Sequence, residues 1–325
     1  MNAIPSSTQW SCRLASLLTA VLAACTQAPD MKAVEAERTK PIIRVDLFQA
    51  VASNGKVIVG ASGAGAMVVS DDNGASWKRQ PLAQPTSVIG IAPCPDGSFV
   101  AVDFYKKAWF GDATARQWKS SALKNSVNPL AVTCDTTGRA WVVGSNLAIQ
   151  SSADQGGTWT AIELGGDAML GTIQFVDSSS GIATGEFGTV ATTNDGGKTW
   201  AKTKIAQKDF YSYSAAFINR NQGWMSGVAG VVLGTKDAGR TWSEVPNKSG
   251  GPIYALTRQG EKVYGVGTGG ALSELMDGQF QRLDYDKPAP AFLTSVAPVG
   301  DKHLAIAGAA GALQLVNPVP EKKTQ

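Results

Sequence analysis

A chain of 325 residues has room for two domains, yet 43% hydrophobic content with 36 glycines suits one soluble all-β fold rich in tight turns. The formal net charge is only +3, from 29 Lys and Arg against 26 Asp and Glu. No basic run of the kind a nucleic-acid partner needs is present, and that class of partner is set aside.

Residues 1–13 are polar and end in Arg13, and an apolar run follows from Leu14 to Ala24. This is the pattern of a secretory signal, too short to span a bilayer as a stable helix. It closes on Leu22-Ala23-Ala24-Cys25, which resembles the bacterial lipoprotein box. The other reading is an ordinary signal cut near Ala24. The resemblance implies diacylglycerol on the Cys25 thiol and an acyl chain such as palmitate on its amine. Thr26, where a retention signal would place Asp, implies an exported protein anchored in the outer membrane and facing the periplasm. The expected division is therefore a signal over 1–24, a flexible tether over 25–41, a propeller over 42–318 and a disordered tail over 319–325.

Four stretches share the form Ser/Thr-x-Asp-x-Gly-x-Ser/Thr-Trp. They carry Asp72 and Trp77, Asp154 and Trp159, Asp195 and Trp200, and Asp237 and Trp242. An Asp side chain accepts hydrogen bonds from its own turn, and Gly supplies the positive φ of a tight hairpin. The Trp carries a large apolar area inward, so each stretch reads as a self-locking structural turn. Trp118 belongs to the same series, although its own turn has lost the motif. The tryptophans at 77, 118, 159, 200 and 242 recur at intervals of 41, 41, 41 and 42 residues. A period near forty with four short strands per unit predicts a seven-bladed β-propeller. Gly-x-x-Gly turns, such as Gly185–Gly188, join the second and third strands. Seven innermost strands can be counted against six outermost ones. The segment near Ile42–Val45 is expected to supply the missing fourth strand and close the ring, removing an exposed edge. Trp200→Ala is expected to cost about 3–5 kcal/mol as loss of a buried aromatic.

Cys94 and Cys134 fall at the ends of neighbouring innermost strands. Either they form a disulfide, as an oxidising compartment permits, or they stay two buried thiols, and both readings remain open. His303 is the sole histidine and lies in an apolar strand, so a multi-His metal site is excluded. No cofactor is expected.

Asp-box repeats also occur in sialidases, which makes a glycoside hydrolase the alternative function. Such a site requires an Arg cluster, a Tyr activated by a Glu, and an acidic proton donor. The Arg-Ile-Pro stretch typical of those enzymes has only Ile42-Ile43-Arg44-Val45 as its counterpart. The box aspartates are committed to turns, and no catalytic residue is assigned.

The run from Gly181 to Trp200, with Gly181-Ile182-Ala183-Thr184-Gly185-Glu186-Phe187-Gly188 ahead of its Asp box, resembles the repeat of the photosystem II stability/assembly factor family. Asn221-Gln222-Gly223-Trp224-Met225-Ser226-Gly227 is similar. The resemblance implies a non-catalytic scaffold that docks a membrane protein or membrane-associated complex. Photosynthetic members are lumenal assembly factors, and similar lipoproteins occur in bacteria without a photosystem. On the propeller face away from the Asp boxes, two turns and one connection depart from bare glycine. They place Asp103, Phe104, Tyr105, Lys106, Glu186, Phe187, Asp209, Phe210, Tyr211 and Tyr213 as the expected partner-binding set, since interface hot spots favour aromatics.

Overall fold

The second strand of every repeat is buried along its length or nearly so, which accounts for its composition. Ile58–Ser62, Phe99–Asp103, Ala140–Gly144, Gly181–Gly185 and Gly223–Gly227 have all five residues buried. Both faces of these strands are covered by neighbouring sheets, so they read as apolar or small-residue runs rather than as alternations. The outermost strands are polar by contrast, and all four residues of Ala201–Lys204 are exposed.

The computed structural model describes residues 30–320. The chain divides into one unit ending at Lys40 and another beginning at Pro41. The first contains a helix, Lys32–Arg38, with no buried residue. Its Lys-Ala-Val-Glu-Ala-Glu-Arg sequence consists mostly of good helix formers, and Lys32 N–H donates to the Asp30 carboxylate at its start. This short helix lies within the expected tether over 25–41. Cys25 and the signal lie outside the described residues.

The second unit is a seven-bladed propeller. Its innermost strands are Phe48–Ser53, Val88–Pro93, Pro129–Cys134, Leu170–Phe175, Ser212–Phe217, Ile253–Gln259 and Leu293–Val299. Each blade is an antiparallel meander running outward. The apolar cores lie between blades. Phe99, Ala101 and Trp109 of blade 2 pack with Val59, Met67 and Val69 of blade 1, and six further clusters join the remaining neighbours.

Blade 7 has three strands among the described residues, Leu293–Val299, His303–Gly308 and Leu313–Val316. Ile42–Val45 adds no fourth strand, contrary to expectation, and is built of bends and turns. The ring closes by other means. Phe48, Val51, Ile58 and Val68 share a core with Ala297, Ala305, Ala307 and Leu313. Val51 N–H also donates to Ser295 Oγ at 3.0 Å.

A buried carboxylate holds the incoming segment. Asp46 is 2% exposed and pairs in bidentate fashion with Arg79 at 2.8 and 2.9 Å. Its side chain also accepts Ile43 N–H and the Ser62 hydroxyl, and its carbonyl accepts Gly311 N–H from blade 7. Saturating one Asp in this way turns the chain, and a turned chain cannot run alongside Leu313–Val316. The segment is a latch instead of a strand.

The chain end differs from expectation as well. Val319–Pro320 pairs with Leu283 and Asp284 on the outer strand of blade 6, so the tail is ordered at least that far. Cys94 and Cys134 are joined in a disulfide with their Cα atoms 5.1 Å apart, linking blades 2 and 3 near the axis.

Candidate docking face

The two faces of the ring have different chemistry, and the turns create the difference. On one face lie the Asp boxes. In the blade-4 box, Thr193 Oγ1 donates to Asp195 at 2.8 Å and accepts Gly197 N–H at 2.9 Å. Thr199 donates both its N–H and its hydroxyl to the Asp195 carboxylate, at 3.0 and 2.6 Å. The boxes of Asp72, Asp154 and Asp237 repeat this pattern. Blade 2 keeps more of it than its sequence suggests, since Asp112 still accepts Arg116 N–H at 2.9 Å and the Thr114 hydroxyl.

These donors favour the ionised carboxylates. Asp72, Asp195 and Asp237 are lowered from the ordinary 3.8 to about 2, chiefly by the hydroxyls of Ser76, Thr199 and Thr241. For Asp154, lowered to about 2, the Thr158 N–H contributes most. A carboxylate with a depressed folded-state pKa stabilises the fold above its unfolded value, and the benefit is lost as pH falls through the folded one. Melting temperature is therefore expected to hold down to about pH 4 and then to fall as the boxes protonate toward about pH 2. Asp195→Asn is expected to be less stable than the parent at pH 7 and to converge on it at acid pH. A constant gap between the two curves would show that this carboxylate does not drive the acid transition.

The box tryptophans are half-buried rather than enclosed. Trp200 packs at the margin of a core held by Trp141, and its Nε1 is buried without a hydrogen-bond partner among the described residues. The sequence-based cost for Trp200→Ala is lowered accordingly.

The opposite face carries the turns between second and third strands together with the connections between blades. One backbone bond repeats in all seven blades. An N–H of each turn donates to the carbonyl just ahead of the innermost strand: Gly63 to Leu47, Phe104 to Ser87, Ser145 to Asn128, Glu186 to Met169, Val228 to Tyr211, Thr268 to Pro252 and Ala309 to Phe292. This explains the first glycine of Gly-x-x-Gly. A Cβ at Gly185 would stand 1.9 Å from the Met169 carbonyl oxygen. The last glycine answers a different need, since Gly188 has φ +60.

Each innermost strand also carries a β-bulge one residue in, at Gln49, Ile89, Leu130, Gly171, Tyr213, Tyr254 and Thr294. A bulge re-aims the side chain at each of these positions except Gly171, which has none. Tyr213 and Tyr254 meet edge to face at 5.7 Å, and Tyr254 meets Phe292 at 6.3 Å. Phe187 meets Tyr211 at 5.0 Å, with Lys204 Nζ 5.4 Å from the Phe187 ring. An aromatic ladder thus crosses blades 5 to 7, with the Phe187–Tyr211 pair beside it at blade 4. Phe187 adopts φ 54, as the equivalent turn residues Asn146, Ala229 and Ala310 do, so the repeated turn imposes this conformation on a bulky residue.

Of the large hydrophobics exposed on the described propeller, Val45, Phe104, Tyr105, Leu130, Met169, Phe187, Tyr213 and Phe292 all lie on this face. Only Val319, on the outer edge of blade 6, lies apart from them.

The expected partner-binding residues divide. Phe104, Tyr105, Phe187 and Tyr213 are exposed, as is Asp209, and Tyr211 is half-buried against Phe187. Lys106 and Glu186 are half-buried, and Glu186 accepts Met169 N–H at 3.0 Å. Asp103 and Phe210 are corrections. Asp103 is fully buried and accepts Trp109 Nε1–H at 2.8 Å and Lys107 N–H, which replaces the missing glycine of its turn by a satisfied carboxylate. Phe210 is 4% exposed and packs over Gly227 in the core between blades 4 and 5. Leu130, Met169, Tyr254 and Phe292 were missed. A signal existed, because Ile89, Leu130, Gly171 and Tyr254 each stand twelve residues after a periodic Trp.

A cleft of about 810 Å³ lies between blades 2 and 3 on the Asp-box side and is lined by Cys94, Phe110, Trp118 and Cys134. Its carboxylates, Asp96 and Asp112, are taken up by bonds to Ser98 and to Thr114 and Arg116. His303 is exposed at the start of a second strand, away from the aromatic face. No group of three or more metal-ligating side chains occurs among the described residues.

The family model described as Photosynthesis system II assembly factor YCF48 matches residues 157–279. A solved structure described as "YCF48 bound to D1 peptide" superposes with a TM-score of 0.67 at 16% identity, covering 87% of this chain and 95% of its own. "YCF48 from Cyanidioschyzon merolae" gives a TM-score of 0.64 at 15% identity, with 85% and 96% covered. "Streptogramin B lyase structure" gives 0.71 at 12% identity, with 86% and 95% covered. Likeness at such identities shows the fold, which serves binding proteins and lyases alike. No curated protein matches the sequence.

Proposed function

We propose that this chain, a propeller resembling the photosystem II assembly factor YCF48 family, is a binding and assembly scaffold that captures an exposed segment of a membrane protein on its aromatic face. The observation that carries the reading is the segregation of exposed apolar side chains onto one face, with Tyr213, Tyr254 and Phe292 in edge contact there. Monomeric proteins rarely leave such a surface uncovered. One YCF48 structure holds a D1 peptide, and by analogy the ligand here is an extended peptide laid across the mouth.

Export and anchoring through Cys25 complete the proposal. No helix among the described residues is long and apolar enough to cross a membrane. A disulfide between Cys94 and Cys134 fits an oxidising compartment. The intact mass of the mature N-terminal peptide tests the anchor, and an unmodified Cys25 would refute it.

The test of binding is capture from detergent-solubilised membranes by the parent chain and by the triple variant Tyr213→Ala, Tyr254→Ala, Phe292→Ala. The parent is expected to retain a discrete membrane protein that the variant loses, with little change in melting temperature. A hot-spot residue is worth about 2 kcal/mol, or roughly 30-fold in affinity. Equal capture by both chains would place the site elsewhere. Turnover of a glycoside or a cyclic depsipeptide by the purified ring would replace the scaffold reading with an enzymatic one.

A further inference from the structure

The root of the N-terminal segment lies on the aromatic face. Asp46 O accepts Gly311 N–H from the second-to-third-strand turn of blade 7, and Pro41 O accepts from Arg79. The chain toward Cys25 therefore leaves from this face. On the same face stand the most exposed apolar side chains of the propeller, Val45 at 86% and Phe104 at 71%, with Tyr105 at 49%. Phe104 and Tyr105 meet edge to face at 5.9 Å. This pair lies on blade 2, apart from the ladder on blades 5 to 7 that the proposed function assigns to a protein partner.

We infer that the aromatic face is turned toward the bilayer, with Val45, Phe104 and Tyr105 seated in the phospholipid interface. The occupant is argued from where the anchored chain leaves the ring. A lipid on Cys25 tethers residue 41 to the membrane, and the exposed side chains on the face it leaves from are those turned toward the bilayer. They are of the kind that enters the headgroup and acyl boundary, two apolar groups and an amphipathic Tyr. Contact here would hold the ladder over the membrane, where a segment of an embedded protein emerges. The Asp boxes would then face away from the bilayer. The inference rests on Cys25 as the anchor and adds an orientation and a lipid-contact site to the scaffold reading.

The test uses the mature chain purified from membranes and reconstituted in vesicles of phosphatidylethanolamine and phosphatidylglycerol. Photoreactive p-benzoylphenylalanine replaces Val45, Phe104 or, on the Asp-box side, Lys198, all of them exposed positions. Illumination is expected to give lipid adducts at positions 45 and 104 at least about tenfold above those at 198, as depth-limited contact requires. Equal yields at the three positions, or a higher yield at 198, would overturn the orientation. In native membranes, protein adducts without lipid at position 104 would give this patch to a protein partner and overturn the lipid contact. The ladder variant separates the two readings. If it captures partners normally while lipid adducts persist, the docking site falls and the orientation stands. If capture depends on the ladder while adducts are absent, the reverse holds.

Discussion

Asp46→Ala is expected to destabilise the propeller by about 3–5 kcal/mol, the range for removing one partner of a buried ion pair. The Asp46 side chain is 1% exposed and that of Arg79 is 23% exposed, so truncating the carboxylate leaves a guanidinium largely out of water without its counter-charge. It also releases Ile43 N–H and the Ser62 hydroxyl, which Asp46 accepts. The loss falls where blades 7 and 1 meet, a junction with no shared strand to hold it. Lowered thermal stability should thus be accompanied by faster opening of the ring at this one interface. Urea denaturation measures the first effect, and hydrogen exchange in Phe48–Ser53 and Leu293–Val299 measures the second. A shift of roughly 5–10 °C in melting temperature is expected. A loss below about 1 kcal/mol would mean that the apolar core between these blades closes the ring unaided.

Trp141→Ala is expected to cost a similar amount, about 3–5 kcal/mol, for a different reason. Trp141 is 1% exposed and packs against Phe175 at 5.0 Å and Trp200 at 6.0 Å between ring centroids. Its Nε1–H donates to Asp135 at 2.8 Å, and the ring lies so close to Gly197 that a Cβ there would stand 2.1 Å away. Removing the indole opens a cavity between blades 3 and 4 and takes a hydrogen bond from a buried carboxylate. Trp141→Phe separates the two, since it restores most of the volume but not the donor, and about 1–3 kcal/mol should remain. Trp200→Ala should cost less than Trp141→Ala, because the Trp200 ring is only half-buried. Equal losses at the two positions would contradict this account of the core.

The two tryptophans show how far periodicity leads. Trp200 recurs with the Asp boxes, whereas Trp141 is buried more deeply and stands outside that series. Repetition marks a turn that every blade must make. It does not mark the residue that fills a gap between two particular blades. The partner-binding set failed in the same way at Phe210 and Asp103. Both sit in segments unlike the bare glycine turns, and that departure looked like surface function. Phe210 in fact fills the gap above Gly227, and Asp103 satisfies Trp109. At Phe104, Phe187 and Tyr213 the same kind of departure does reach the surface.

By itself the amino-acid sequence determined the all-β class, the seven units, the turn chemistry of the boxes and the face on which departures from glycine occur. These follow from local rules that act within one hairpin and are repeated at a constant period: an Asp accepting its own turn's donors, a Gly with positive φ, an apolar strand covered on both sides. Only the tertiary structure decided how the ends meet, which aromatics are exposed and which residues line the mouth. Ring closure depends on Asp46 finding Arg79 and Gly311, partners 33 and 265 positions away along the chain. The ladder depends on bulges at Tyr213 and Tyr254, which meet each other and Phe292 from three blades. Such contacts are set by the geometry of the closed ring, where residues some forty apart become neighbours, and no single repeat contains that information.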